Sequence, residues 1–170
     1  MSAILMPAAL TCFTALLAAA AVVDLIDYRI PNGLVLLLIG SFLVAAALQP
    51  TGFDWISHFA AGALCLAGGM VLYLLGQMGA GDVKLIAAVA LWGGLNALVA
   101  LMFFTALAGV LLMLLILSAR SLASGETRFS IVEAGGRLPR ILRRGEGIPY
   151  GAAIAIGSVS ATPWFQNWHW

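Results

Sequence analysis

The sequence predicts an all-α, polytopic membrane protein with six transmembrane helices, and three observations carry that reading. Apolar residues make up 63% of the chain and charged residues 9%, against about half and about a quarter in soluble domains. Mean hydropathy is +1.07. The apolar residues are gathered into long runs separated by short stretches rich in polar residues, Gly and Pro, as expected of helices that satisfy their own backbone groups in lipid. A length of 170 residues leaves room for one membrane-embedded domain over 1–170 and none for a sizeable soluble module. The net charge of +1 gives no sign of a nucleic-acid partner.

The first run, 3–26, lacks the positive n-region of a signal peptide and is long enough to cross a hydrocarbon core of roughly 30 Å, so it reads as a retained helix. Pro31 and Asn32 break it and start the second run, 33–48, which closes in the turn Gln49-Pro50-Thr51-Gly52. The third, 55–75, contains Gly62, Gly68 and Gly69, small residues that suit close helix packing. Residues 85–117 are apolar for too long to be one span, and Gly93-Gly94-Leu95-Asn96 divides them into a short fourth helix over 82–92 and a fifth over 97–117. A polar loop, 118–147, leads to the last span, 148–165, whose Trp164 and Trp168 suit an interfacial aromatic belt.

Charge gives an independent check on the parity. All eight basic residues, Arg29, Lys84, Arg120, Arg128, Arg137, Arg140, Arg143 and Arg144, fall on one side of a six-span arrangement. The positive-inside rule makes that side cytoplasmic and puts both termini outside. The arginines of the 118–147 loop suit contact with anionic lipid. Cys12 and Cys65 each sit alone in an apolar run and read as buried small hydrophobes, without metal or disulfide. His58 and His169 fall on the outer side and read as interfacial polar residues.

Two acidic stretches interrupt this apolar pattern. Gly79-Ala80-Gly81-Asp82-Val83-Lys84 puts a carboxylate between two long runs, where a charge is costly unless it is paired, hydrated or functional. Its glycines permit close approach of another segment, and Asp82 at a helix start is favoured by the exposed N–H groups and the helix dipole. Asp24-Leu25-Ile26-Asp27-Tyr28-Arg29-Ile30-Pro31-Asn32 ends the first span, so on the predicted topology the two stretches share the cytoplasmic face.

With both in view the chain resembles the prepilin peptidases, membrane aspartic proteases that process type IV pilin precursors. In that family one Asp lies six residues before Ile-Pro-Asn and a second closes Gly-x-Gly-Asp. Here these are Asp24, before Ile30, Pro31 and Asn32, and Asp82, after Gly79 and Gly81. Ile148-Pro149-Tyr150-Gly151 is similar to a third motif of the short forms found with Flp-type pili, and the resemblance implies that Pro149, Tyr150 and Gly151 line the site. It further implies a GxGD-type aspartic endopeptidase in the bacterial inner membrane, cutting short leaders from prepilins or pseudopilins, without metal or cofactor. Larger members carry Cys-x-x-Cys motifs and methylate the new N-terminus. This chain has no such motif, which implies a peptidase alone.

Two close carboxylates share a proton and titrate as a unit, the arrangement in which one activates water and the other assists the developing oxyanion. Asp27 competes with Asp24, but spacing to the Ile-Pro-Asn stretch favours Asp24. Lys84, two residues past Asp82, should point to nearly the opposite helix side and snorkel, with the glutamate of family substrates as the alternative partner. The rival functions are a presenilin-like protease, which shares Gly-x-Gly-Asp, an ion-coupled transporter, and a non-catalytic scaffold for pilus assembly.

Overall fold

The computed structural model describes residues 2–49, 52–122 and 148–165, and among these there are helices and no strands. Helix α1 spans Ser2–Asp27, α2 Asn32–Ala47, α3 Trp55–Leu74, α4 Ala80–Leu122 and α5 Tyr150–Ala161, followed by a 3-10 turn at Thr162–Trp164. Three of them, α1, α3 and α4, are long and apolar enough to cross a membrane. Large apolar side chains such as Leu36, Val44, Ile56, Leu74 and Val99 stand exposed on the outside, which is the surface a lipid-facing protein presents.

Helix α4 is 43 residues long but is not one rod, because Gly94 takes φ 65° and ψ −176° in its interior. Helical geometry stops there, and the contacts on either side give the direction of each part. Gly69 meets Val83 and Gly62 meets Leu91, so residues 80–93 run antiparallel to α3. Gly157 meets Thr105 and Gly109 meets Ala153, so the part after Gly94 runs antiparallel to α5. Since α5 begins against Asp24 and its trailing Phe165 reaches Gly93, α5 and the first part of α4 point the same way. The second part of α4 therefore returns toward the end at which α4 began. The described segments alternate in direction, and the ends at residues 27–32, 74–82 and 148–150 gather at one end of the bundle.

The interruption breaks the helical ladder at Gly94, and the Leu95 N–H and the Leu91 carbonyl on either side of it find partners outside the helix. Both orphaned groups are satisfied by neighbouring residues of α3. Ser57 Oγ accepts from the Leu95 N–H at 3.0 Å, and His58 Nδ1 donates to the Leu91 carbonyl oxygen at 2.5 Å. A carbonyl can only accept, which fixes the Nδ1–H tautomer for this contact. His58 is fully buried and stacks on Phe53 with ring centroids 4.4 Å apart. It is not an interfacial residue, because the broken helix supplies a buried partner that hydropathy alone does not reveal. Asp54 starts α3 as its N-cap, accepting from the Ser57 N–H at 3.0 Å.

The core lies where α1, α2, α4 and Phe165 meet around Trp92. That ring is buried, packs on Phe13 at a centroid distance of 4.8 Å, and donates from Nε1 to the Leu38 carbonyl at 3.1 Å. A buried indole N–H requires such a partner. Of the α3 glycines, Gly62 and Gly69 face α4 closely while Gly68 faces open space. Cys65 is half-buried and Cys12 is exposed. The expectation of a buried Cys12 fails because α1 turns that side outward, where a membrane rather than protein would cover it. Arg128, Arg137, Arg140, Arg143, Arg144, Trp168 and His169 lie outside the described residues.

Candidate active site

The site is built at the end of the bundle where four helix ends converge. Helix α1 closes through an unusual residue: Tyr28 adopts a positive φ of 55°, while its N–H still donates to the Asp24 carbonyl at 3.0 Å. The left-handed conformation costs a non-glycine residue roughly 1 kcal/mol or more, and such costs cluster at functional sites. The turn sends Arg29 and Ile30 back toward α4, and Pro31, extended at φ −62° and ψ 136°, takes the N-cap position of α2.

Asp24 stands in the last turn of α1 and is buried, 5% exposed. Its Oδ2 accepts from the Gly151 N–H at 2.8 Å, and its carboxylate also accepts from the Ala152 N–H. These are the first amides of α5, free because a helix start has no intrahelical acceptor for them. A side chain at 151 would displace its neighbours, since a Cβ there would lie 2.8 Å from Asp24 Oδ2 and 2.8 Å from Ile30 Cδ1. The same holds in milder form at Gly81, where a Cβ would come within 3.2 Å of Ile30 Cβ. The glycines thus let α4 and α5 close on the Asp24 turn.

Asp82 occupies the third position of α4, and its carboxylate accepts from the Gly79 backbone N–H. That is half of a capping box, so Asp82 orders the helix start as well as facing the cavity. Asp24 and Asp82 line one cavity of about 350 Å³, together with Tyr28, Arg29, Ile30, Asn32, Gly79, Gly81 and Lys84. Asp27 is exposed and lines a different, neighbouring hollow with Val23 and Pro31.

Lys84 departs from expectation. It shares the cavity with Asp82 and its Nζ donates to Asn32 Oδ1 at 3.1 Å. Two residues along a helix do separate side chains by a wide angle, but four methylenes let the ammonium come round to the start of α2. Of the Pro149-Tyr150-Gly151 stretch, Gly151 touches Asp24, Pro149 is buried and Tyr150 is exposed. Tyr28, Arg29 and Ala80 line the cavity without having been among the expected site residues, and Tyr28 is the least foreseeable of them. Its position one turn after Asp24 was the available signal, but nothing about a tyrosine announces a left-handed backbone.

Among the described residues no cluster of His, Cys, Asp and Glu has the makeup of a metal site. Ser57 and His58 sit near the start of α3 (Trp55–Leu74), the rest of which separates them from the carboxylate end by about 25 Å. What the cavity offers chemically is a pair of carboxyl groups, the cationic side chains Arg29 and Lys84, and room for water.

A family model described as the type IV leader peptidase family matches residues 11–114, a stretch that includes both carboxylates and stops short of α5. No curated protein matches the chain. No solved structure matches it either.

Proposed function

The chain belongs to the type IV leader peptidase family, and from that premise we propose that it is an aspartic endopeptidase in which Asp24 and Asp82 form the catalytic pair. The observation that carries this reading is that the two acids, from helices far apart in sequence, line a single cavity. With one proton shared between them, one carboxylate takes a proton from a bound water as that water attacks the peptide carbonyl. The other donates its proton toward the developing oxyanion, and the proton taken up then passes to the leaving amine. Gly79, Gly81 and Gly151 allow the segments to close, while Ile30 and Asn32 line one wall and Pro31 between them starts α2 and faces the neighbouring hollow. No covalent intermediate is needed.

On this reading the substrates are Flp-type prepilins or pseudopilins, cut at the cytoplasmic face to release short leaders without N-methylation. The molecule is a single domain with six spans in the bacterial inner membrane, both termini lie outside, and the 118–147 loop rests on anionic lipid. Support for the orientation comes from Arg29 and Lys84, which both lie at the carboxylate end.

Co-expression with a Flp-type prepilin tests the proposal. Asp24→Ala and Asp82→Ala are each expected to slow leader removal by about 10²-fold or more, the scale of a lost acid–base group. Asp27→Ala should stay within a few-fold of the parent, and the mass of the processed pilin gives the cut site. Normal processing by stably inserted Asp24→Ala and Asp82→Ala chains would overturn the mechanism.

A further inference from the structure

Beside the carboxylate cavity runs a second hollow of about 590 Å³, a groove bounded by α2, α3 and the first part of α4. Both α2 and α3 pack on α4 but make little contact with each other, which leaves the gap. Lys84, Ala87, Ala88 and Leu91 form its floor at i, i+3, i+4 and i+7, one face of a helix. Helices α2 and α3 contribute walls in the same spacing, from Asn32 to Ile39 and from Phe59 to Leu66. The groove therefore follows two helical turns, about 10 Å. Ala63, Ala87 and Ala88 keep it shallow-sided, as in helix pairs whose backbones approach closely in lipid.

Its two ends differ. Away from the carboxylates, Phe42 of α2 meets Phe59 of α3 at a centroid distance of 6.2 Å and closes the gap. At the other end the only polar liners, Asn32 and Lys84, also line the carboxylate cavity and are hydrogen-bonded to each other. The hollow is blind and apolar at one end and continuous with the acids at the other.

We infer that this groove docks the apolar segment of the substrate immediately following the scissile bond, with the Lys84–Asn32 pair as the threshold between docking groove and cleavage cavity. The occupant must be apolar for two turns and polar where it meets Asn32 and Lys84, which describes a membrane segment continuing into an extended, cleavable stretch. A lipid chain matches the walls but gives no reason for the shared polar threshold. The inference rests on the peptidase reading and adds the path by which substrate reaches the acids.

Photo-crosslinking in native membranes tests it. A benzophenone amino acid is placed in the full-length Asp82→Asn chain at groove positions Ala63 or Leu36, or at Val71 or Leu37 on outward faces of the same helices, with a leader-bearing pilin precursor co-expressed. Adducts to the precursor from the groove positions alone are expected. Equal adducts from the outward positions, or lipid adducts alone, would overturn the docking inference. In a chain with both acids intact, Ala63→Trp should raise KM for the membrane precursor at least tenfold and leave cleavage of a short peptide lacking the apolar segment unchanged. Equal loss on both substrates, or loss on neither, would count against docking. The cleavage assay on the unsubstituted chain separates this from a failure of the peptidase reading, since crosslinking does not require turnover.

Discussion

Asp24 is held from behind by the first turn of α5, and this contact sets what a single methyl group can do. The Gly151 N–H reaches Asp24 Oδ2 at 2.8 Å, and a Cβ at 151 would press on that oxygen and on Ile30 Cδ1 at once. Gly151→Ala is therefore expected to lower kcat by about 10- to 100-fold, since a displacement near 1 Å at a reacting group costs on that order. KM should change little, because the docking surfaces are untouched. Ile156→Ala, on the exposed side of the same helix, is the control expected to match the parent, and steady-state cleavage by the purified chain decides between them. The acids and their glycines stand out in the sequence because an ionisable group beside long apolar runs needs a reason. Three features do not stand out. Tyr28 carries no mark of a left-handed backbone, the reach of Lys84 to Asn32 depends on where α2 begins, and the exposure of Cys12 depends on how α1 is rotated.

At the scale of the element, the break in α4 is the feature on which the rest depends. The Gly93-Gly94 pair marks it in the sequence, since Gly94 takes a φ of 65° that side chains rarely adopt. What sequence does not disclose is the pair of groups that stabilises it. Ser57 and His58 take up the Leu95 N–H and the Leu91 carbonyl on either side of the break, and a hydropathy pattern places these residues at the membrane surface because it cannot see a carbonyl arriving from a helix 33 residues away. Ser57→Ala leaves the part-buried Leu95 N–H without its acceptor, and losing a hydrogen bond of this kind costs about 1 kcal/mol. His58→Ala does the same to Leu91 and also removes a buried ring, so it should be the more destabilising. Denaturant or thermal unfolding of the detergent-solubilised chain measures both. The two changes touch one break, so the double variant is expected to lose less than the sum of the singles. Additive losses would mean that the two contacts act independently.

At the scale of the whole molecule, alternation of direction makes orientation a single choice. Described ends at residues 27–32, 74–82 and 148–150 share the carboxylate end, with Arg29 and Lys84, while 47–49, 52–55, Gly94 and Phe165 lie at the other, with Asp54. The apolar runs and their separators give the all-helical character of the described residues in advance, because lipid forces each run to be helical. They do not give mutual rotation, on which the cavity and groove depend. On the proposed orientation, basic residues at the carboxylate end and the positive-inside rule predict that this end faces the cytoplasm. Cysteine accessibility can check this in a chain carrying Cys12→Ser and Cys65→Ala. Leu48→Cys marks the end of α2 and Gln77→Cys the loop before α4, both exposed and outside the candidate site. A membrane-impermeant maleimide added to spheroplasts should label Leu48→Cys and spare Gln77→Cys, and inverted vesicles should reverse the pattern. Labelling of Gln77→Cys from outside would put the acids on the extracytoplasmic face. A leader held in the cytoplasm could not then reach them, and the proposed substrate would have to be abandoned even if Asp24 and Asp82 proved catalytic.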